Sequence, residues 1–110
     1  MSLAHYVARG IVQNVMFRQT IIRAAQSRGL VAGATNDKSD RTAVFLAFQG
    51  EMNKIEALVE EMASKKKLNN WGAQVETIER VASDDAPLNY EVNTSNVDSF
   101  NWRSDVKFYI

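Results

Sequence analysis

The chain has 110 residues, enough for one hydrophobic core and too few for two. Apolar residues make up 45% and charged residues 24%, and thirteen basic side chains balance thirteen acidic ones, so no global field draws the chain to nucleic acid or an acidic membrane. The absence of cysteine excludes disulfides, thiol chemistry and cysteine metal sites, and no apolar run approaches the ~20 residues of a membrane span.

Ala4 to Val12 alternates imperfectly, with Tyr6, Ala8, Gly10 and Val12 on one side and His5, Val7, Arg9 and Ile11 on the other, and reads as a first strand. Apolar positions then fall at Phe17, Ile21, Ala24 and Ala25, which predicts a helix over Phe17 to Arg28, stopped by Gly29. Leu30 to Asp37 is expected as strand two and Asn36 to Arg41 as a polar turn. Thr42 to Gln49 is apolar on both faces, as expected of a central third strand. Gly50 ends it, and Ile55, Leu58, Val59 and Met62 predict an amphipathic helix over Glu51 to Ser64, followed by a solvated Lys65-Lys66-Lys67. Gly72 to Val81 is expected as strand four and Val106 to Ile110 as a last strand. Between them Ala82 to Asp105 has weak periodicity, so it is either an excursion or a missed element.

The order β, α, β, β, α, β with an added C-terminal strand matches the split β-α-β plan. This is a ferredoxin-like α+β sandwich with a mainly antiparallel sheet and two helices on one face, expected as a single domain over 1–110. The RNA-recognition module shares this order, but its aromatic third-strand motif has no counterpart in Thr42 to Gln49, so no nucleic-acid partner is expected.

The conventional catalytic inventory is thin. His5, the single histidine, reads as an ordinary strand or surface residue rather than a general base. Glu60-Glu61 and Asp84-Asp85 are neighbours that point apart, so no metal site is expected. Trp71 and Trp102 lie outside the strongly periodic segments and read as packing or lid residues. What stands out is Gly10 to Arg18, where an apolar strand breaks at Gln13-Asn14 and a helix begins at once. Such a connection points free backbone N–H groups and the positive end of a helix dipole at one spot, an anion site in outline. Arg18 disfavours that dipole, so its presence in the first turn asks for a reason such as a bound anion.

The stretch Gly10-Ile11-Val12-Gln13-Asn14-Val15-Met16-Phe17-Arg18 resembles the acylphosphatase signature G-x-V-Q-G-V-x-F-R in all but one specified position. The second block of that family, L-G-L-x-G-W-V-x-N, falls without gaps on Arg28 to Asn36, and the similarity extends over about Tyr6 to Val81. The resemblance implies an acylphosphatase, which hydrolyses the carboxyl-phosphate bond of acyl phosphates to a carboxylate and inorganic phosphate. Carried over, the catalytic arginine is Arg18 and the catalytic asparagine, which orients the attacking water, is Asn36. The phosphate-binding cradle is the backbone of Gln13, Asn14, Val15, Met16 and Phe17, with inorganic phosphate or sulfate as a further occupant. No cofactor and no metal are implied, because an acyl phosphate has a good leaving group and positioning with charge neutralisation suffices. The protein is expected to be a cytoplasmic monomer without a membrane partner.

The sequence departs from the family pattern at several points. Asn14 stands where the family has glycine, in a loop expected to need positive φ, and asparagine tolerates that geometry best among the other residues. Gly33 and Ala34 replace a tryptophan and a valine, the turn after Asn36 is longer, and Asp37 and Asp40 put negative charge near the expected pocket. The alternative reading is a catalytically inactive binding or regulatory domain of the same fold.

Overall fold

In the computed structural model, which describes residues 1–100 and 105–110, strand β1 (Ser2–Ile11) runs through the 12–16 loop into helix α1 (Phe17–Ser27). Strands β2 (Val31–Asn36) and β3 (Ala43–Gly50), helix α2 (Met52–Ser64) and strand β4 (Gln74–Val81) follow. A 3-10 turn at Pro87–Asn89, a short strand β5 (Val92–Asn93) and a second 3-10 turn at Val97–Ser99 come next. The sheet is antiparallel in the order β4-β1-β3-β2-β5, so β3 lies centrally, as its two apolar faces require.

Both helices cover one face of the sheet. Ile21, Ile22 and Ala25 of α1 and Ile55, Leu58 and Met62 of α2 are buried against Tyr6, Ala8, Val44, Leu46 and Phe48. At about 1.5–3 kcal/mol for each fully buried large apolar side chain, this layer is the principal stabiliser of the fold. Helix α1 closes at Gly29, whose φ of 75° lets the N–H groups of Gly29 and Leu30 turn back onto the carbonyls of Gln26 and Ala25.

The last third of the chain differs from expectation. The fifth strand is Val92–Asn93, which pairs with Ala34 and Gly33 of β2, inside the segment that carried no clear period. Val106 to Ile110, expected as a strand, is not one among the described residues; Phe108 makes an isolated antiparallel bridge with Asn69. Trp102 lies outside the described residues. Between β4 and β5 the chain crosses the sheet face turned away from the helices. His5 is therefore buried rather than at the surface, with Nε2 2.8 Å from the Asp85 carbonyl oxygen. The same crossing explains Gly33, where a Cβ would collide with the Pro87 carbonyl and lie 2.7 Å from Tyr90 Cβ. The side chain missing from the family's second block leaves the space that this excursion fills. A cavity of about 540 Å³ between His5, Phe45, Val81 and Tyr90 lies on that face, away from Arg18.

Candidate active site

The site grows from the end of β1. At Gly10 the β1–β4 pairing shifts register, φ is 144°, and a Cβ would collide with the Gln74 carbonyl and approach Glu76 N at 2.8 Å. Only glycine permits that close passage of β4. The chain then turns through two left-handed residues, Asn14 at φ 63° and Met16 at φ 60°. Asparagine meets this demand as expected, whereas a methionine there stores strain of about 1–3 kcal/mol and must be held by its surroundings.

Two hydroxyl and amide groups hold it. Thr20 is 1% exposed, and its Oγ1 and backbone N–H both donate to the Met16 carbonyl, at 2.6 and 3.0 Å. The fully buried Asn69 donates through Nδ2 to the Val15 carbonyl at 2.8 Å and to Thr20 Oγ1 at 2.9 Å. Its Oδ1 accepts the N–H groups of Trp71 and Ala73 at 2.9 and 3.2 Å. With the loop carbonyls engaged from behind, its N–H groups turn the other way. Among the described residues those of Asn14, Val15 and Met16 have no protein acceptor, and α1 begins with no side-chain cap and no acid in its first turn. These are the properties of an anion-binding helix N-terminus.

A cavity of about 330 Å³ opens in front of this loop. Its polar wall is Asn14, Arg18, Gln19 and Asn36, and Met16, Trp71 and Phe100 contribute apolar surface. Two sequence blocks thus meet in one space, Arg18 from the start of α1 and Asn36 from the end of β2. Asn36 Oδ1 is buried there without a hydrogen-bond partner among the described residues. A buried amide oxygen in that state costs roughly 1–3 kcal/mol unless a water or ligand satisfies it. Arg18 reaches Glu91, with Nη1 3.9 Å from Oε1, both side chains partly exposed.

Of the cradle residues, Asn14, Met16 and Phe17 line this cavity, while the side chains of Gln13 and Val15 turn elsewhere. Val15 packs against the core, and Gln13 Nε2 donates to the carbonyls of Asp37, Asp40 and Ala43 at 3.0, 3.0 and 2.9 Å. Asp37 and Asp40 do not line the cavity, because each carboxylate is engaged inside its own turn. Asp37 Oδ1 accepts from Ser39, and Asp40 Oδ1 from Thr42, whose hydroxyl and backbone N–H hold the Asp40 carboxyl below the usual carboxylate range. Asn69 and Glu91 escaped the sequence reading, since they sit in aperiodic segments and carry no spacing signal, and Trp71, read there as a packing or lid residue, lines the cavity. No group of three or more acidic or histidine side chains among the described residues could hold a metal ion, and no helix there is long and apolar enough to cross a membrane.

An antiparallel sheet backed on one face by two helices, with an uncapped strand-to-helix loop at its end, defines a ferredoxin-like α+β protein. The chain belongs to the acylphosphatase family, whose sequence profile matches residues 4–98. Its structure is similar to an acylphosphatase from Bacillus subtilis at 22% identity and a TM-score of 0.61, covering 78% of this chain and 89% of that one. An acylphosphatase from Coxiella burnetii is similar at 23% identity and a TM-score of 0.58, covering 77% and 85%. T. kodakarensis HypF matches at 28% identity and a TM-score of 0.61 over 77% of this chain, but the match spans only 10% of HypF. A comparison with curated protein sequences found no match.

Proposed function

We propose that this protein is a metal-independent acylphosphatase, hydrolysing acyl phosphates to a carboxylate and inorganic phosphate. The observation that carries this reading is the buried Asn36 Oδ1, without a hydrogen-bond partner among the described residues, in the same cavity as Arg18 and the left-handed loop. The phosphoryl oxygens of a small-molecule acyl phosphate sit on the loop N–H groups, and the Arg18 guanidinium forks onto them. Asn36 Oδ1 accepts a hydrogen bond from a water and aims its lone pair at phosphorus. The water oxygen bonds to phosphorus as the bond from phosphorus to the acyl oxygen breaks. The electron pair leaves with the carboxylate, and both water protons end on the phosphate. No residue needs to act as nucleophile or general base, in keeping with a cavity lining that holds no histidine or carboxylate dyad among the described residues. Inorganic phosphate or sulfate occupies the same loop as product or product mimic.

Purified protein should cleave benzoyl phosphate in the presence of a chelator. Arg18→Ala and Asn36→Ala should each lose about 10²–10³ in rate, the loss typical of a preorganised donor. Undiminished turnover in both variants would reject this mechanism. A second reading, an inactive binding domain of the same fold, draws on Glu91 already lying beside Arg18; it predicts no cleavage of benzoyl phosphate.

A further inference from the structure

Asn69 does not line the 330 Å³ cavity, yet it fixes two peptides of the loop that does. Its side chain is fully buried, and both N–H bonds of Nδ2 and both lone pairs of Oδ1 are engaged. Nδ2 donates to the Val15 carbonyl at 2.8 Å and to the Thr20 hydroxyl at 2.9 Å, and that hydroxyl donates to the Met16 carbonyl at 2.6 Å. The peptides that follow Val15 and Met16 are trans, so in each the N–H points away from the held carbonyl. The N–H groups of Met16 and Phe17 are thereby aimed at the cavity those two residues line.

A competing arrangement is built into the loop. Met16 is strained at φ 60°, and a half-turn of the peptide between Val15 and Met16 would carry its φ to ordinary negative values. The same flip would turn the Val15 carbonyl oxygen toward the phosphoryl position and the Met16 N–H away, replacing attraction by repulsion. Strain favours the flip. The Asn69 donations to Val15 and Thr20 oppose it, because breaking them would leave buried polar groups unsatisfied. Asn69 is itself set in a closed turn, with the Leu68 N–H on the Ala73 carbonyl at 2.8 Å. Its neighbour Asn70 bonds outward instead, Nδ2 donating to the Asp105 carbonyl at 2.6 Å and Oδ1 accepting the Lys107 N–H at 2.7 Å.

We propose that Asn69 is a positioning residue for phosphoryl binding, which locks the peptide between Val15 and Met16 with its N–H toward the cavity. This role rests on the phosphate-binding loop proposed above. Calorimetric binding of inorganic phosphate and kinetics with benzoyl phosphate test it together. Asn69→Asp keeps the size and the acceptor for the Trp71 and Ala73 N–H groups, but a carboxylate cannot donate. Phosphate should bind it about tenfold more weakly and KM should rise by a similar factor, with kcat changed less than about threefold. Thr20→Val should weaken phosphate binding in the same direction, and Thr20→Ser, which keeps the hydroxyl, should restore it. Asn70→Ala loosens the same turn from outside, so it should lower the melting temperature and leave phosphate affinity at the parent value. Parental phosphate affinity and KM in Asn69→Asp, or in Thr20→Val where the first variant does not fold, overturn the assignment. An equal loss of affinity in Asn70→Ala overturns it too, since the effect would then follow stability alone. A parent protein that binds phosphate without cleaving benzoyl phosphate rejects the hydrolase, and the affinities of the variants still decide the role of Asn69. Neither binding nor turnover by the parent rejects both.

Discussion

Gln13 and Ala43, thirty residues apart, are joined by a 2.9 Å hydrogen bond from the Gln13 side-chain amide to the Ala43 carbonyl. The same nitrogen reaches the carbonyls of Asp37 and Asp40, so two N–H bonds serve three acceptors across the whole β2–β3 turn. Asn36 is the residue immediately before that turn, and Gln13 the residue immediately before Asn14. The side chain thus links the loop expected to hold phosphate to the residue expected to hold water.

Gln13→Ala should separate those two roles. The backbone cradle does not need the Gln13 side chain, so phosphate should still raise the melting temperature. The Asn36 turn loses its anchor, so kcat should fall about tenfold, with about 1–3 kcal/mol of stability lost to unsatisfied carbonyls. Thermal melts with and without phosphate, together with steady-state kinetics, check this. Weakened phosphate binding with an unchanged kcat would contradict it.

Asn14 sits at φ 63°, where glycine is free of strain and a β-branched residue is not. Asn14→Gly should retain or raise both the melting temperature and activity. Asn14→Val should cost about 1–3 kcal/mol and most of the activity, because the loop cannot keep its shape. Equal stability of the two variants would show that the loop does not depend on left-handed geometry at this position.

Glu91 competes with a phosphoryl anion for Arg18. The pair is long and partly exposed, which places its worth at about 0.2–1 kcal/mol, so Glu91→Gln should tighten phosphate inhibition by about 1.5- to 5-fold. The difference between variant and parent should shrink at high salt. Weaker inhibition in Glu91→Gln would mean instead that Glu91 holds Arg18 in its productive position.

Tyr6, 6% exposed and packed against Phe48 with ring centroids 5.9 Å apart and planes inclined at 59°, has its phenol pushed above the ordinary value of 10.0. Burial is the main cause, with the nearby Glu56 charge adding to it and Arg80 opposing it. The folded state therefore keeps a proton that the unfolded chain releases, and this stability is full below pH 10 and lost as pH rises through the folded value. Tyr90, also raised chiefly by burial, acts with the same sign. Tyr6→Phe should flatten the fall in melting temperature above pH 10 while leaving the value at pH 8 nearly unchanged. A parallel fall in parent and variant would remove Tyr6 as a cause.

The order of the first six elements, the helix faces and the register of Arg18 with Asn36 were all determined by the sequence itself. Each is a local property: alternation and three- to four-residue steps report which face is buried, and the signature blocks are contiguous. The tertiary structure alone decided what surrounds those two side chains. Val92–Asn93 becomes a strand because β2 offers it an edge, whereas the more regular Val106 to Ile110 makes an isolated bridge at Phe108 among the described residues. Gly33 makes room for Pro87, Asn69 braces Val15 and Trp71, and Glu91 comes to rest beside Arg18. Most of these contacts join segments far apart in the chain, as Asn69 and Val15 are, and their partners are chosen by shape and hydrogen-bond satisfaction, which leave no period in the chain.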